Sequence, residues 1–134
     1  MKRKLFLFAF FGIGLFSCIY ENEREKSDIG LEDKYRIDTE YLLDNKSLKF
    51  KINEINDSRC PCDVVCVWAG KAEVSIKIES PDSETFILST LDNKIDTVGN
   101  YSFELIDVSP YPVSTKQIKT NEYKVTLNIK NLSN

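Results

Sequence analysis

Between Lys71 and Glu79 the chain alternates without a break. Ala72, Val74, Ile76 and Ile78 are apolar, and Lys71, Glu73, Ser75, Lys77 and Glu79 between them are polar. Successive side chains of a β-strand point to opposite faces, so a two-residue period describes a strand with one buried and one wetted face. Ser47–Asn53 repeats the pattern with Leu48, Phe50 and Ile52, and Glu122–Lys130 repeats it with Tyr123, Val125, Leu127 and Ile129. Antiparallel sheets produce this alternation, whereas parallel strands are usually apolar on both faces. Further strands are expected at 84–91 and 101–108, with weaker ones near 35–43 and 94–98. Asp92-Asn93-Lys94 and Gly99-Asn100 supply turn chemistry between them. Pro110 and Pro112 make 109–120 a long irregular connection. Six or seven short strands in about 100 residues fit one small antiparallel β-sandwich over 35–134, of immunoglobulin-domain size, with a small closed barrel as the alternative.

The chain opens differently. Met1-Lys2-Arg3-Lys4 precedes an apolar run from Leu5 to Phe16, and Ser17-Cys18 follows. A cationic start and about a dozen apolar residues have the order of an export signal. A membrane-spanning helix needs roughly 20 apolar residues, and here Glu21, Glu23, Arg24, Glu25 and Lys26 follow soon after Cys18. Residues 1–17 therefore read as a signal peptide. From Cys18 to Lys34 the chain is polar and without period, as expected of a flexible tether.

Leu15-Phe16-Ser17-Cys18 resembles a lipobox, the site where bacterial lipoproteins are lipidated on cysteine and cleaved before it, with Phe16 standing where a smaller residue is usual. The resemblance implies diacyl lipid on Cys18, and two acyl chains are what stable anchoring requires. The expectation is a domain held to a membrane of the cell envelope, in the outer membrane, facing either the periplasm or the cell surface. Cleavage before Cys18 removes three of the 18 basic residues and none of the 21 acidic ones, leaving a net charge of −6. Nucleic-acid binding needs clustered Lys and Arg, and here they are scattered, so that partner is excluded.

Asp57-Ser58-Arg59-Cys60-Pro61-Cys62-Asp63-Val64-Val65-Cys66-Val67-Trp68-Ala69-Gly70 lies between two of the strands. Export implies an oxidising compartment, where disulfides persist. With Cys18 reserved for lipid, Cys60, Cys62 and Cys66 are an odd number, so one is unpaired, capped, metal-bound or intermolecular. The segment resembles one shared by a family of small bacterial lipoproteins to which no activity is attached. The likeness runs from Asp57 to about Ile78, through Asp-Ser-Arg-Cys-Pro and Cys-Val-Trp-Ala-Gly. A weaker echo is Leu105-Ile106-Asp107-Val108-Ser109-Pro110-Tyr111-Pro112 and the strand at Tyr123. The resemblance implies that Cys60 pairs with Cys66, and Cys62 falls where relatives carry another residue. On geometry alone, Cys62 with Cys66 is also possible, while Cys60 with Cys62 closes a strained ring. Cys62 is then a free or capped thiol. Trp68 is expected to pack on the bridge and the core, or, alternatively, to stand exposed as a ligand platform. Gly70 serves the turn into the next strand.

Three thiolates within seven residues also suit Cu(I) or Zn²⁺, a metal or redox module that is the competing reading. No cofactor beyond the lipid is otherwise expected. The chain has no histidine, which removes Ser-His, Cys-His and His-metal catalysis. Carboxylates such as Asp57, Asp63 and Glu73 remain, but 21 acidic residues make neighbouring pairs unremarkable. The sites matching the N-glycosylation pattern, such as Asn45-Lys46-Ser47, and the O-glycosylation-like Asp96-Thr97-Val98 read as products of composition. The sequence thus points to a non-enzymatic binding domain for a protein or small molecule, with loop 57–70 as its recognition surface, Arg59, Asp63 and Trp68 as candidate contacts, and 109–120 beside it. A pinned loop of this kind also suits an inhibitor of an exported enzyme.

Overall fold

The computed structural model describes residues 31–43 and 47–133. The signal segment, Cys18 and most of the tether lie outside the described residues. The described chain forms strands β1 (Leu31–Tyr35), β2 (Glu40–Leu43), β3 (Leu48–Asp57), β4 (Ala72–Ser80), β5 (Glu84–Ser89), β6 (Ile95–Val98), β7 (Tyr101–Ser109) and β8 (Lys124–Asn131), with one 3-10 turn at Thr120–Glu122. They build two four-stranded sheets, ordered β1-β8-β7-β6 and β2-β3-β4-β5. All strand pairs are antiparallel. The fold is a β-sandwich, as the alternation implied.

The inward faces carry the predicted residues. Leu48, Phe50 and Ile52 of β3, Ala72, Val74, Ile76 and Ile78 of β4, and Val125 and Leu127 of β8 are buried together with Phe86, Leu88, Phe103, Leu105 and Val108. An aromatic chain crosses between the layers. Tyr41 lies 4.7 Å from Tyr35, Tyr35 lies 5.3 Å from Phe50, and Phe50 meets Phe103 at 5.6 Å between ring centroids. Phe103 in turn meets Phe86 at 5.2 Å. Phe50 and Phe103 belong to different sheets, so their edge-on contact couples the layers directly. Burial, with Asp33 and Tyr41 nearby, pushes the Tyr35 hydroxyl up to about 12.

Two strands run past the point where their alternation breaks. In β3 the buried series 48, 50, 52 is followed by half-buried Ile55, and the pairing with β4 shifts register between Ile52 and Glu54. In β7 the series 103, 105 is followed by buried Val108, with a shift between Leu105 and Asp107. An extra residue on one strand flips the faces beyond it. The bulge therefore carries β3 on to Asp57, four residues beyond the end expected from its period. β1 was also hidden. It takes in Leu31–Lys34, assigned above to the tether, because the strand is held by backbone pairing to β8, with Tyr35 in the core. Asp38, at φ 55°, donates its N–H to Ile52 O at 3.0 Å where the chain crosses from one sheet to the other.

The sheet registers set the two ends of the sandwich. Tyr35 pairs with Val125 and Ser109 with Lys124, so the end of β1, the end of β7 and the start of β8 share one end with loop 58–71. Leu31 pairs with Ile129, towards the other end. There Gly99, at φ 56°, opens the two-residue hairpin between β6 and β7.

Truncating the interlayer contact tests this packing. Phe103→Ala should cost about 3–5 kcal/mol in urea unfolding, whereas Ile87→Ala, exposed on β5, should stay within about 0.5 kcal/mol. Equal losses at the two positions would contradict the core described.

Candidate functional site

Loop 58–71 begins as a continuation of the β3–β4 ladder. Ser58 N–H donates to Lys71 O at 2.8 Å, and Cys60 N–H donates to Ala69 O at 3.0 Å. Gly70 sits between these legs at φ 67°, and a Cβ there would lie 1.9 Å from Ser58 O. No residue with a side chain fits that approach without moving the backbone. Above the ladder the loop closes on itself through the Cys60–Cys66 disulfide, with Cα atoms 5.9 Å apart.

Beneath the loop lies a buried ion pair. The Arg59 guanidinium forks onto the Asp57 carboxylate, Nε to Oδ1 at 2.8 Å and Nη2 to Oδ2 at 2.7 Å. Their side chains are only 6% and 5% exposed. Arg59 also donates to Val108 O at 2.7 Å and Pro110 O at 3.1 Å, and its guanidinium lies 4.5 Å from the centre of the Tyr111 ring. The Tyr123 hydroxyl donates to Asp57 Oδ2 at 3.2 Å. Burial pushes the Asp57 carboxyl up, but its bonds from the Arg59 side chain and backbone, the Arg59 charge and the Tyr123 hydroxyl outweigh that and hold it below the ordinary carboxylate value. Burial and the adjoining Asp57 charge raise the Tyr123 hydroxyl.

The loop is tied further to the β7–β8 connection. Ser114 donates to Asp63 from its backbone N–H at 2.8 Å and from its hydroxyl at 2.5 Å, which lowers the Asp63 carboxyl. Cys62 N–H donates to Pro112 O at 3.1 Å. The two loops that the sequence placed side by side are thus bonded to each other. A third, 90–94, joins them, since Lys71 Nζ donates to Asp92 Oδ2 at 3.1 Å. A cleft of about 250 Å³ lies between them, walled by Gly70, Leu91 and Tyr111.

The candidate contacts separate. Arg59 is not a surface residue: its fork and π face are turned inward onto Asp57, the β7 carbonyls and Tyr111. Asp63 stays at the surface but is occupied by Ser114. Trp68 does not pack on the bridge or the core. The Arg59 cluster already fills the end of the sandwich, and the ladder legs finish at Cys60 and Ala69, so the residues between project beyond it. Val65 is fully exposed, Val67 is 88% exposed, Trp68 81% and Val64 44%. Cys62 is not a free thiol. No described cysteine is free. Cys60 and Cys66 are spent on each other, and among the described residues no group of three or more His, Cys, Asp or Glu is placed to hold a metal. Asp57, Asp63 and Glu73 face different partners, Glu73 pairing with Lys71 at 2.8 Å. Sequence reasoning missed Tyr111, Ser114 and Tyr123, which lie 50 or more residues from the side chains they contact. It also passed over Val64, Val65 and Val67, although an apolar run inside a cysteine-bounded loop was the available signal.

No helix among the described residues is long and apolar enough to cross a membrane. Compared with family models, curated proteins and solved structures, the chain finds no match.

Removing one partner of the ion pair strands the other charge in a dry site. Arg59→Ala and Asp57→Asn should each cost about 3–5 kcal/mol, read by urea unfolding at pH 7. The Asp57 carboxyl has its folded pKa below its unfolded value of about 3.9, so its contribution is fully present above that value and fades as pH falls through the folded one. The gap between the native protein and Asp57→Asn should therefore narrow in unfolding at pH 3; an unchanged gap refutes the assignment.

The bridge closes a loop of seven residues, which constrains the unfolded chain by roughly 2–2.5 kcal/mol. Cys60→Ser and Cys66→Ser should lose about this amount equally, and the double substitution should lose no more than either single one.

Proposed function

We propose that this chain is a lipid-anchored domain of the bacterial cell envelope that acts by binding rather than by catalysis, with loop 57–70 as its recognition surface. The observation that carries the reading is the contrast within that loop. Below it, Arg59, Asp57, Tyr111 and Tyr123 make a rigid, fully bonded base; above it, Val64, Val65, Val67 and Trp68 stand in water. Loops on a rigid scaffold commonly carry function, and contiguous apolar side chains left in solvent mark interaction sites. The carboxylates near the loop serve ion pairs and hydrogen bonds within the fold, which supports binding over chemistry. The cationic start, the apolar run and the lipobox-like Leu15–Cys18 support the anchor, with the protein held in the outer membrane by diacyl lipid on Cys18.

The anchor is tested by expressing the full chain in a bacterium and mapping Cys18 by mass spectrometry. The expected product lacks residues 1–17 and carries a diacylglyceryl thioether on Cys18, and Cys18→Ser leaves the membrane fraction. Cys18 found in a disulfide, with Cys62 above all, overturns the anchor, because one sulfur cannot hold both a thioether and a disulfide.

A further inference from the structure

The cleft of about 250 Å³ beside the base of the loop has a structural cause. In the order β1-β8-β7-β6 only β6 covers the free side of β7, and its pairing starts at Ile95 opposite Glu104. The last backbone bond across is Leu105 N–H to Lys94 O at 2.7 Å. Residues 90–94 lead back from there to β5, and further along β7 Arg59 donates to Val108 O at 2.7 Å. Ile106 and Asp107, at the bulge of β7, are left between these two contacts with no strand on that side, and both line the cleft. The cleft thus borders the stretch of sheet edge that a longer β6 would cover.

Its walls hold polar groups that no described residue uses. A guanidinium has five donors, and Arg59 spends four of them, two on Asp57 and one each on Val108 O and Pro110 O. The fifth, on Nη1, has no acceptor among the described residues, although the side chain is only 6% exposed. Buried donors are nearly always matched by an acceptor. Thr90 Oγ1 accepts from Ala72 N–H at 3.0 Å and keeps its own hydrogen to donate. The exposed Asp107 carboxylate has neither a hydrogen bond nor an ion pair with a described residue. Because Asp57 balances Arg59, Asp107 is the uncompensated charge of the cleft. Leu91, 59% exposed, and the Tyr111 ring, 47% exposed, add apolar surface.

We infer that this cleft binds an extended segment of basic peptide. The inference rests on the binding reading above, since Arg59 and Gly70 belong to loop 57–70, and names the class of ligand and the face of the loop that meets it. An open sheet edge is where extended peptides add as a strand, with main-chain bonds giving affinity and side-chain sites giving specificity. The volume is below the roughly 300–1,000 Å³ that encloses a drug-sized ligand, so the cleft takes a residue or two of a longer chain. A peptide carbonyl supplies the acceptor that Arg59 Nη1 lacks, and a Lys or Arg side chain supplies the cation for Asp107. An apolar neighbour in the same peptide lies on Leu91 and Tyr111. An anionic ligand is disfavoured, because Asp57 already neutralises Arg59, Asp107 repels it, and the chain carries 21 acidic against 18 basic residues.

The full chain, purified in detergent, is presented to an array of end-blocked pentapeptides. Those retained should share a Lys or Arg beside an apolar residue. In amide NMR spectra the strongest of them should move Thr90, Leu91, Asp107 and Tyr111 and leave the indole N–H of Trp68, the chain's single tryptophan, in place. Asp107→Asn should weaken its binding about fivefold, the upper end for an exposed ion pair. Asp82→Asn, between β4 and β5 at the other end of the sandwich, should leave binding unchanged, and neither variant should shift the thermal unfolding midpoint. Asp107→Lys should exchange the preference for Lys or Arg for one for Asp or Glu, a reversal that loss of folding cannot produce. Retained peptides with no basic preference, or a preference that survives Asp107→Lys, overturn the inference. Shifts confined to Trp68 and the valines before it also overturn it and leave the loop a binding surface; no retained peptide and no shift anywhere defeats both.

Discussion

The pairing of Arg59 with Asp57 is the contact on which this end of the molecule depends. Asp57 is the last residue of β3 and belongs to one sheet. The Arg59 donors that remain after its fork reach carbonyls at the end of β7 and just beyond, and Tyr123 meets Asp57 from the approach to β8, both in the other sheet. One side-chain pair therefore ties the two layers together at this end of the sandwich. Two buried charges are costly to desolvate, and an apolar plug of similar volume could serve stability as well. What the ion pair adds is direction. A planar guanidinium has donors at fixed angles, so the ends of β3, β7 and β8 are set in one arrangement, and the loop above inherits it.

The loop is accordingly two structures in one. Its base obeys the rules of a protein interior, with a satisfied ion pair, a ring against a cation and a glycine where backbone meets backbone. Its tip obeys none of them. The disulfide separates the two, because it lets residues 61–65 leave the ladder without any core beneath to hold them. A short loop with four apolar side chains would otherwise collapse onto the nearest apolar surface. Here that surface is covered by Arg59 and Tyr111, and the closed ring limits how far the tip bends. Exposure of Trp68 is thus a product of the same contacts that make the base rigid.

Legibility along the chain followed the range of the interactions involved. β4 and β8 were readable from their two-residue period because each inward residue meets the core directly. β3 was readable only to Asn53, since the bulge after Ile52 reverses its faces and disguises the last four residues. β1 carried no period to read, being held by a backbone ladder to β8. The cysteine segment was recognisable as the informative one, and the Cys60–Cys66 pairing implied there is the one observed. The roles inside it were not readable. Arg59 looked like a recognition residue and is buried; Trp68 looked like a core residue and is in water; Cys62 looked spare and is bonded.

By itself the sequence determined the fold class, the strand residues that face the core and the two loops that lie together. Those follow from local period, composition and chain connectivity, which are properties of neighbouring residues. Only the tertiary structure decided which side chains of the loop turn inward. That choice rests on Val108, Pro110, Tyr111 and Tyr123, which lie about 50 or more residues from Arg59 or Asp57 and leave no periodic trace. It rests too on charge: the buried carboxylate at Asp57 takes two bonds from the guanidinium of Arg59, a fork that an indole with one neutral N–H cannot match.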